Sequence, residues 1–86
     1  MLDAGIDVAS KDAVAQVKME GILTGRPIVQ ALFGVATAEG KRGLFFSLAG
    51  YTPLAVEWAN RVGVALFTFD YQGEPVAVNP AASQLM

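Results

Sequence analysis

Neither cysteine nor histidine occurs among the 86 residues of the chain. Their absence excludes disulfides, thiolate and imidazole metal sites, and nucleophilic catalysis built on a Ser/His or Cys/His pair. Any metal here must be held by oxygen. Charge is also sparse: 16% of the residues are Asp, Glu, Lys or Arg, and six cations against eight anions give a net charge of −2. That balance weighs against broad electrostatic attraction to nucleic acid, so nucleic-acid binding has to come from local arrangement or from a separate domain. No run of 18 apolar residues is present, and "MLDAGIDVASKD" lacks the basic-then-apolar pattern of a secretory signal. No membrane association and a cytoplasmic location are expected.

What is abundant is apolar surface, at 53% of residues in a chain with room for one small core. A homodimer or higher homo-oligomer is expected to hide part of it. We read residues 1–86 as a single domain in which 71–86 form a C-terminal tail, with a turn at Gln72-Gly73 and a short helix opened by Asn79-Pro80.

Ile6–Ala9 and Ala13–Met19 alternate like strands around the turn-forming Ser10-Lys11-Asp12, which suggests an antiparallel hairpin. Val14, Gln16 and Lys18 then share one face of the second strand. A helix is expected from Arg26 to Glu39, capped by Thr24 or Gly25, with Pro27 in its first turn and Gly40 beyond its end. Apolar residues cover most of its circumference and leave one polar stripe of Arg26, Gln30 and Thr37, so burial on more than one side is expected. "GLFFSL" and "VALFTF" suit strands covered on both faces, and "YTPLAVEWANRVG" suits a helix capped by Thr52, with Pro53 first and Gly63 past its end. The order β-β-α-β-α-β defines the α/β class, a mixed β-sheet flanked by helices.

Asp7 on the first strand, with Gln16 and Lys18 two apart on the second, can converge if the hairpin closes at residues 10–12. Phosphodiester hydrolysis needs such a group: a carboxylate and a second oxygen to hold a hard divalent cation, Mg²⁺ or Mn²⁺, and an ammonium beside the attacking water and phosphate. Asp7 and Gln16 fill the metal-ligand places and Lys18 the last, a catalytic set set against the simpler reading of a wet hairpin face.

"DAGIDV", "AVAQVK", "GRPIVQALFGVA" and "GLFFSLAGYTPLAVEWANRVGVALFTFD" together resemble the Mrr-like branch of the restriction endonucleases, the PD-(D/E)xK nucleases, in a Q-x-K form. The resemblance runs in order from Asp3 to about Asp70. It implies a restriction endonuclease-like fold, a metal-dependent DNA endonuclease activity and DNA as substrate, with Asp7 at the metal-binding aspartate and Gln16 and Lys18 at the Q-x-K pair. Asp3 falls where relatives carry an acidic residue ahead of the GID motif, and Gln30 matches a glutamine of the following helix that would turn toward the site and meet substrate. Relatives carry a helix and further chain ahead of GID, whereas four residues precede Gly5 here; the chain therefore looks N-terminally truncated, the C-terminal majority of such a domain.

Tyr51 and Thr52 in "AGYTP" precede a helix N-terminus, a place suited to substrate phosphate as well as to a plain capping turn. Trp58, Phe45, Phe46, Phe67 and Phe69 are assigned to core or interface, and Arg26, Lys41, Arg42 and Arg61 to a solvated surface. Beside the endonuclease stands a second reading, a catalytically silent oligomerisation or scaffold module on the same fold. A nucleic-acid binder without cleavage ranks last, on the charge.

Overall fold

The structure is a computed structural model that describes residues 8–9 and 11–86. Among the described residues five strands and three helices follow one another: β1 (Val8–Ala9), β2 (Ala13–Lys18), α1 (Arg26–Ala38), β3 (Arg42–Ser47), α2 (Pro53–Val62), β4 (Ala65–Phe69), β5 (Pro75–Ala77) and α3 (Pro80–Ser83). The strands form one sheet in chain order. β1 is antiparallel to β2, β2, β3 and β4 run parallel, and β5 returns antiparallel on β4. This is the expected mixed sheet flanked by helices, with a fifth strand that the sequence reading did not include.

Each parallel step needs a crossover, and α1 and α2 supply the two. Crossovers of one hand between successive neighbours set both helices on the same face of the sheet. Accordingly Val29, Leu32 and Ala36 of α1 and Ala55 and Ala59 of α2 form a single core with Val14, Phe45, Val64 and Leu66. Phe33 and Trp58 meet edge to face between the helices, centroids 5.2 Å apart.

Local signals fix the helix ends. Thr52 Oγ1 accepts from Ala55 N at 3.2 Å, Pro53 fills the first turn, and Gly63 closes α2 with φ at 85°. That left-handed backbone is open to glycine without the steric cost other residues meet. α1 starts at Gly25 with no side-chain cap, Thr24 being engaged elsewhere.

The second face of the sheet has a thinner cover. Ala65 and Phe67 pack with Ala82 of α3, and Phe46 stacks on Phe67 at 4.6 Å. Leu44 and Phe46 stay half-buried, so β3 alternates between full and partial burial where full cover on both faces was expected. α1 departs likewise: Val29, Leu32 and Ala36 are its buried residues, while Ile28 and Val35 are 39% and 37% exposed. Among the described residues nothing buries its apolar excess on a second side.

Residues 71–86 are more than an appendage. Asp70 Oδ1 accepts from Gln72 N and Glu74 N, both at 2.9 Å, and this turn folds the chain back so that β5 joins the sheet. Asn79 then anchors α3: its Oδ1 accepts from Ala82 N at 3.1 Å and from Leu66 N at 3.0 Å. Among the described residues no helix is long and apolar enough to cross a membrane.

Candidate active site

The parallel strands end on one edge of the sheet, and both crossover helices begin there. Lys18 closes β2 and stands in register with Ser47, the last residue of β3. One row further in, Gln16 stands in register with Phe45. Period-two alternation keeps Val14, Gln16 and Lys18 on one face, as the sequence spacing required, and Val14 packs there against α1 and α2. Gln16 is buried, at 5% exposure, and the Lys18 side chain retains 18%.

Lys18 Nζ lies 3.7 Å from Glu20 Oε1. The sequence reading did not single out Glu20, although it follows Lys18 at the same two-residue interval that links Gln16 to Lys18.

The loop after β2 is joined to the connection between β3 and α2. Leu48 N donates to Lys18 O at 2.9 Å, Thr24 N to Gly50 O at 2.9 Å, and Thr52 N to Thr24 O at 3.0 Å. Thr24 Oγ1 donates to Ser47 Oγ at 2.8 Å, and Ser47 Oγ in turn to Gly50 O at 2.9 Å. Thr24 and Ser47 are both buried, so this chain of bonds satisfies polar groups that would otherwise be costly in the interior.

Tyr51 and Thr52 sit on that edge with their hydroxyls engaged. The Tyr51 hydroxyl lies 2.8 Å from the carbonyl oxygens of both Phe45 and Phe67 and shares its proton between adjacent strands. Burial pushes its pKa well above the ordinary tyrosine range and outweighs the backbone hydrogen bonds, which act in the opposite direction. The Thr52 hydroxyl caps α2. Gln30, the other residue read as a substrate contact, is exposed on α1 beside Arg26 and Thr37.

Tyr51→Phe removes the shared bond and leaves two carbonyls to find other partners, so a loss of about 1–3 kcal/mol is expected in urea unfolding. The raised pKa adds a sign. Below pH 10 both states hold the phenol proton; above it the unfolded chain releases the proton while the folded chain keeps it, so stability falls as pH rises beyond about 10. The alkaline fall in urea midpoint should be shallower in Tyr51→Phe than in the wild type.

Asp7, and Asp3 with it, lie outside the described residues. Val8, the residue after Asp7, pairs with Ala15, the residue before Gln16. Among the described residues no cluster of three or more His, Cys, Asp or Glu could hold a metal. The buried oxygen donor beside Lys18 is the Gln16 amide, a ligand suited to a hard cation when a carboxylate joins it.

A mixed sheet with both crossover helices on one face, and a glutamine and a lysine alternating at the end of its first parallel strand, make this an α/β domain with a candidate site at the strand ends. The restriction endonuclease family Mrr_cat matches residues 2–71, and the chain belongs to that family. No curated protein and no solved structure matches it.

Proposed function

We propose that the chain is a catalytic domain that hydrolyses DNA phosphodiester bonds with the help of Mg²⁺ or Mn²⁺. Its membership of the restriction endonuclease family, together with Gln16 and Lys18 on one face of β2, carries the reading. Asp7 and the Gln16 amide oxygen would hold the cation; the pairing of Val8 with Ala15 supports their convergence. When bound, the cation eases deprotonation of water and draws charge from the scissile phosphate. Lys18 donates to the attacking water and to the phosphate oxygens on which negative charge develops. The N-termini of α1 and α2 lie on the same edge, where their positive dipole ends favour the DNA phosphates. The Tyr51 and Thr52 hydroxyls are committed to the fold, and Gln30, exposed on α1, would touch DNA from the outer side of that helix.

Incubation with supercoiled plasmid and Mg²⁺ should produce nicked or linear DNA, and a chelator should stop it. Intact plasmid under both Mg²⁺ and Mn²⁺ would overturn the reading.

One observation favours the second reading, a silent oligomerisation module: Ile28 and Val35 on α1, and Ile22 and Leu23 in the loop before it at 76% and 52%, are exposed apolar side chains. A homodimer that covers them is compatible with either function. Sedimentation velocity should show a dimer or larger species, and an assembly without cleavage would select the silent module.

A further inference from the structure

A lysine at the end of a strand has a four-carbon stem and many rotamers, so a reaction that depends on its ammonium also depends on what holds the stem in place. The Lys18 side chain is 18% exposed, and its ammonium meets the Glu20 carboxylate at 3.7 Å. The chain bends at residues 20–22, directly after β2, which turns Glu20 back toward the strand end.

This bend is fixed at both ends. Its start is tied to β3 by the bond from Leu48 N to Lys18 O, and its end by the bonds of Thr24 to Gly50, Ser47 and Thr52. A loop of five residues between two such anchors has little freedom to carry Glu20 away. An exposed ion pair adds little to stability, so the significance of this one lies in orientation.

We propose that Glu20 is a positioning residue for the reaction: it holds the Lys18 ammonium at the sheet edge, in the orientation that meets the scissile phosphate. The proposal rests on the nuclease reading above. Glu20 touches neither substrate nor cation in this scheme and acts through Lys18.

The test uses the full chain with Glu20→Gln and Glu20→Asp. Three quantities are measured: kcat and KM on a DNA duplex with Mg²⁺, Mn²⁺ affinity by calorimetry, and ¹⁵N relaxation of the Lys18 Nζ. Glu20→Gln should lower kcat about 10–100-fold, leave KM and Mn²⁺ affinity unchanged and increase the motion of Nζ. Glu20→Asp should recover part of kcat. Loss of Mn²⁺ affinity would overturn the proposal by making Glu20 a metal ligand. Unchanged Nζ motion, or unchanged kcat, would overturn it by making the pair incidental. A wild type that does not cleave, with Nζ loosened in Glu20→Gln, would overturn the nuclease reading, and the catalytic purpose of the pair with it, while the pairing itself stood.

Discussion

Lys18→Ala is expected to lower the rate of the proposed Mg²⁺-dependent DNA cleavage by about 10²–10⁴-fold, the range that follows when a positioned proton donor is lost. The fold survives, because the Lys18 side chain is partly exposed and its partner Glu20 keeps 52% exposure. Removing a pair of that kind costs about 1 kcal/mol or less. Circular dichroism and the urea midpoint of the variant should therefore stay close to wild type while cleavage collapses. Metal affinity should be retained, since the ammonium is not a ligand in the proposed site. Cleavage within threefold of wild type would remove Lys18 from the chemistry.

Asn79→Ala has the largest expected effect on stability. The side chain is 4% exposed and makes four hydrogen bonds. Its Oδ1 accepts from Leu66 N in β4 and Ala82 N in α3, and its Nδ2 donates to Val64 O at 2.9 Å and Asn60 Oδ1 at 3.1 Å. One amide thus joins β4, the end of α2 and the terminal helix. Alanine leaves these groups without partners in a poorly hydrated place, at about 1–3 kcal/mol each where water cannot enter. A total of about 3–5 kcal/mol and a Tm lower by about 10 °C or more are expected for a domain of this size. A shift below about 2 °C in Asn79→Ala would show that solvent replaces the amide without penalty.

The central elements were legible because their signals are local and redundant. α2 has Thr52, Pro53 and Gly63 at its two ends, and Pro53–Val62 is the helix observed. The Ala13–Met19 strand is observed as Ala13–Lys18, and the next two strands lie within a residue of their expected starts. β5 was not legible: three residues beginning with proline carry no periodicity, and they pair only because the Asp70 turn returns them to β4. Asn79 was read as a helix opener, which it is; its three other bonds depend on tertiary neighbours 13 to 19 residues away.

α1 shows a different limit. An apolar circumference says that a helix has more than one dry face to offer, but not whether the cover for each face belongs to the same chain. Here one face meets the sheet and α2, and Ile28 and Val35 do not. At the site, alternation put Gln16 and Lys18 on one face of β2, and it is the packing of Val14 with α1 and α2 that makes this the helix-bearing face. Sequence position marked Tyr51 and Thr52 as a place suited to phosphate; that the Tyr51 hydroxyl bonds the Phe45 and Phe67 carbonyls was not legible, because the interaction requires two strands to be placed first. Glu20 escaped notice because it belongs to a loop whose bend was not readable before Thr24 was known to be joined to Gly50.

The claim that residues around Gln16 form a metal-assisted nuclease site rests most directly on Asp7. Calorimetric titration of Mn²⁺ into the wild type and into Asp7→Ala, with both variants shown to be folded, tests it. A binding isotherm is expected in the wild type and its loss in Asp7→Ala. No Mn²⁺ binding by the wild type, or equal affinity in the two proteins, would contradict it.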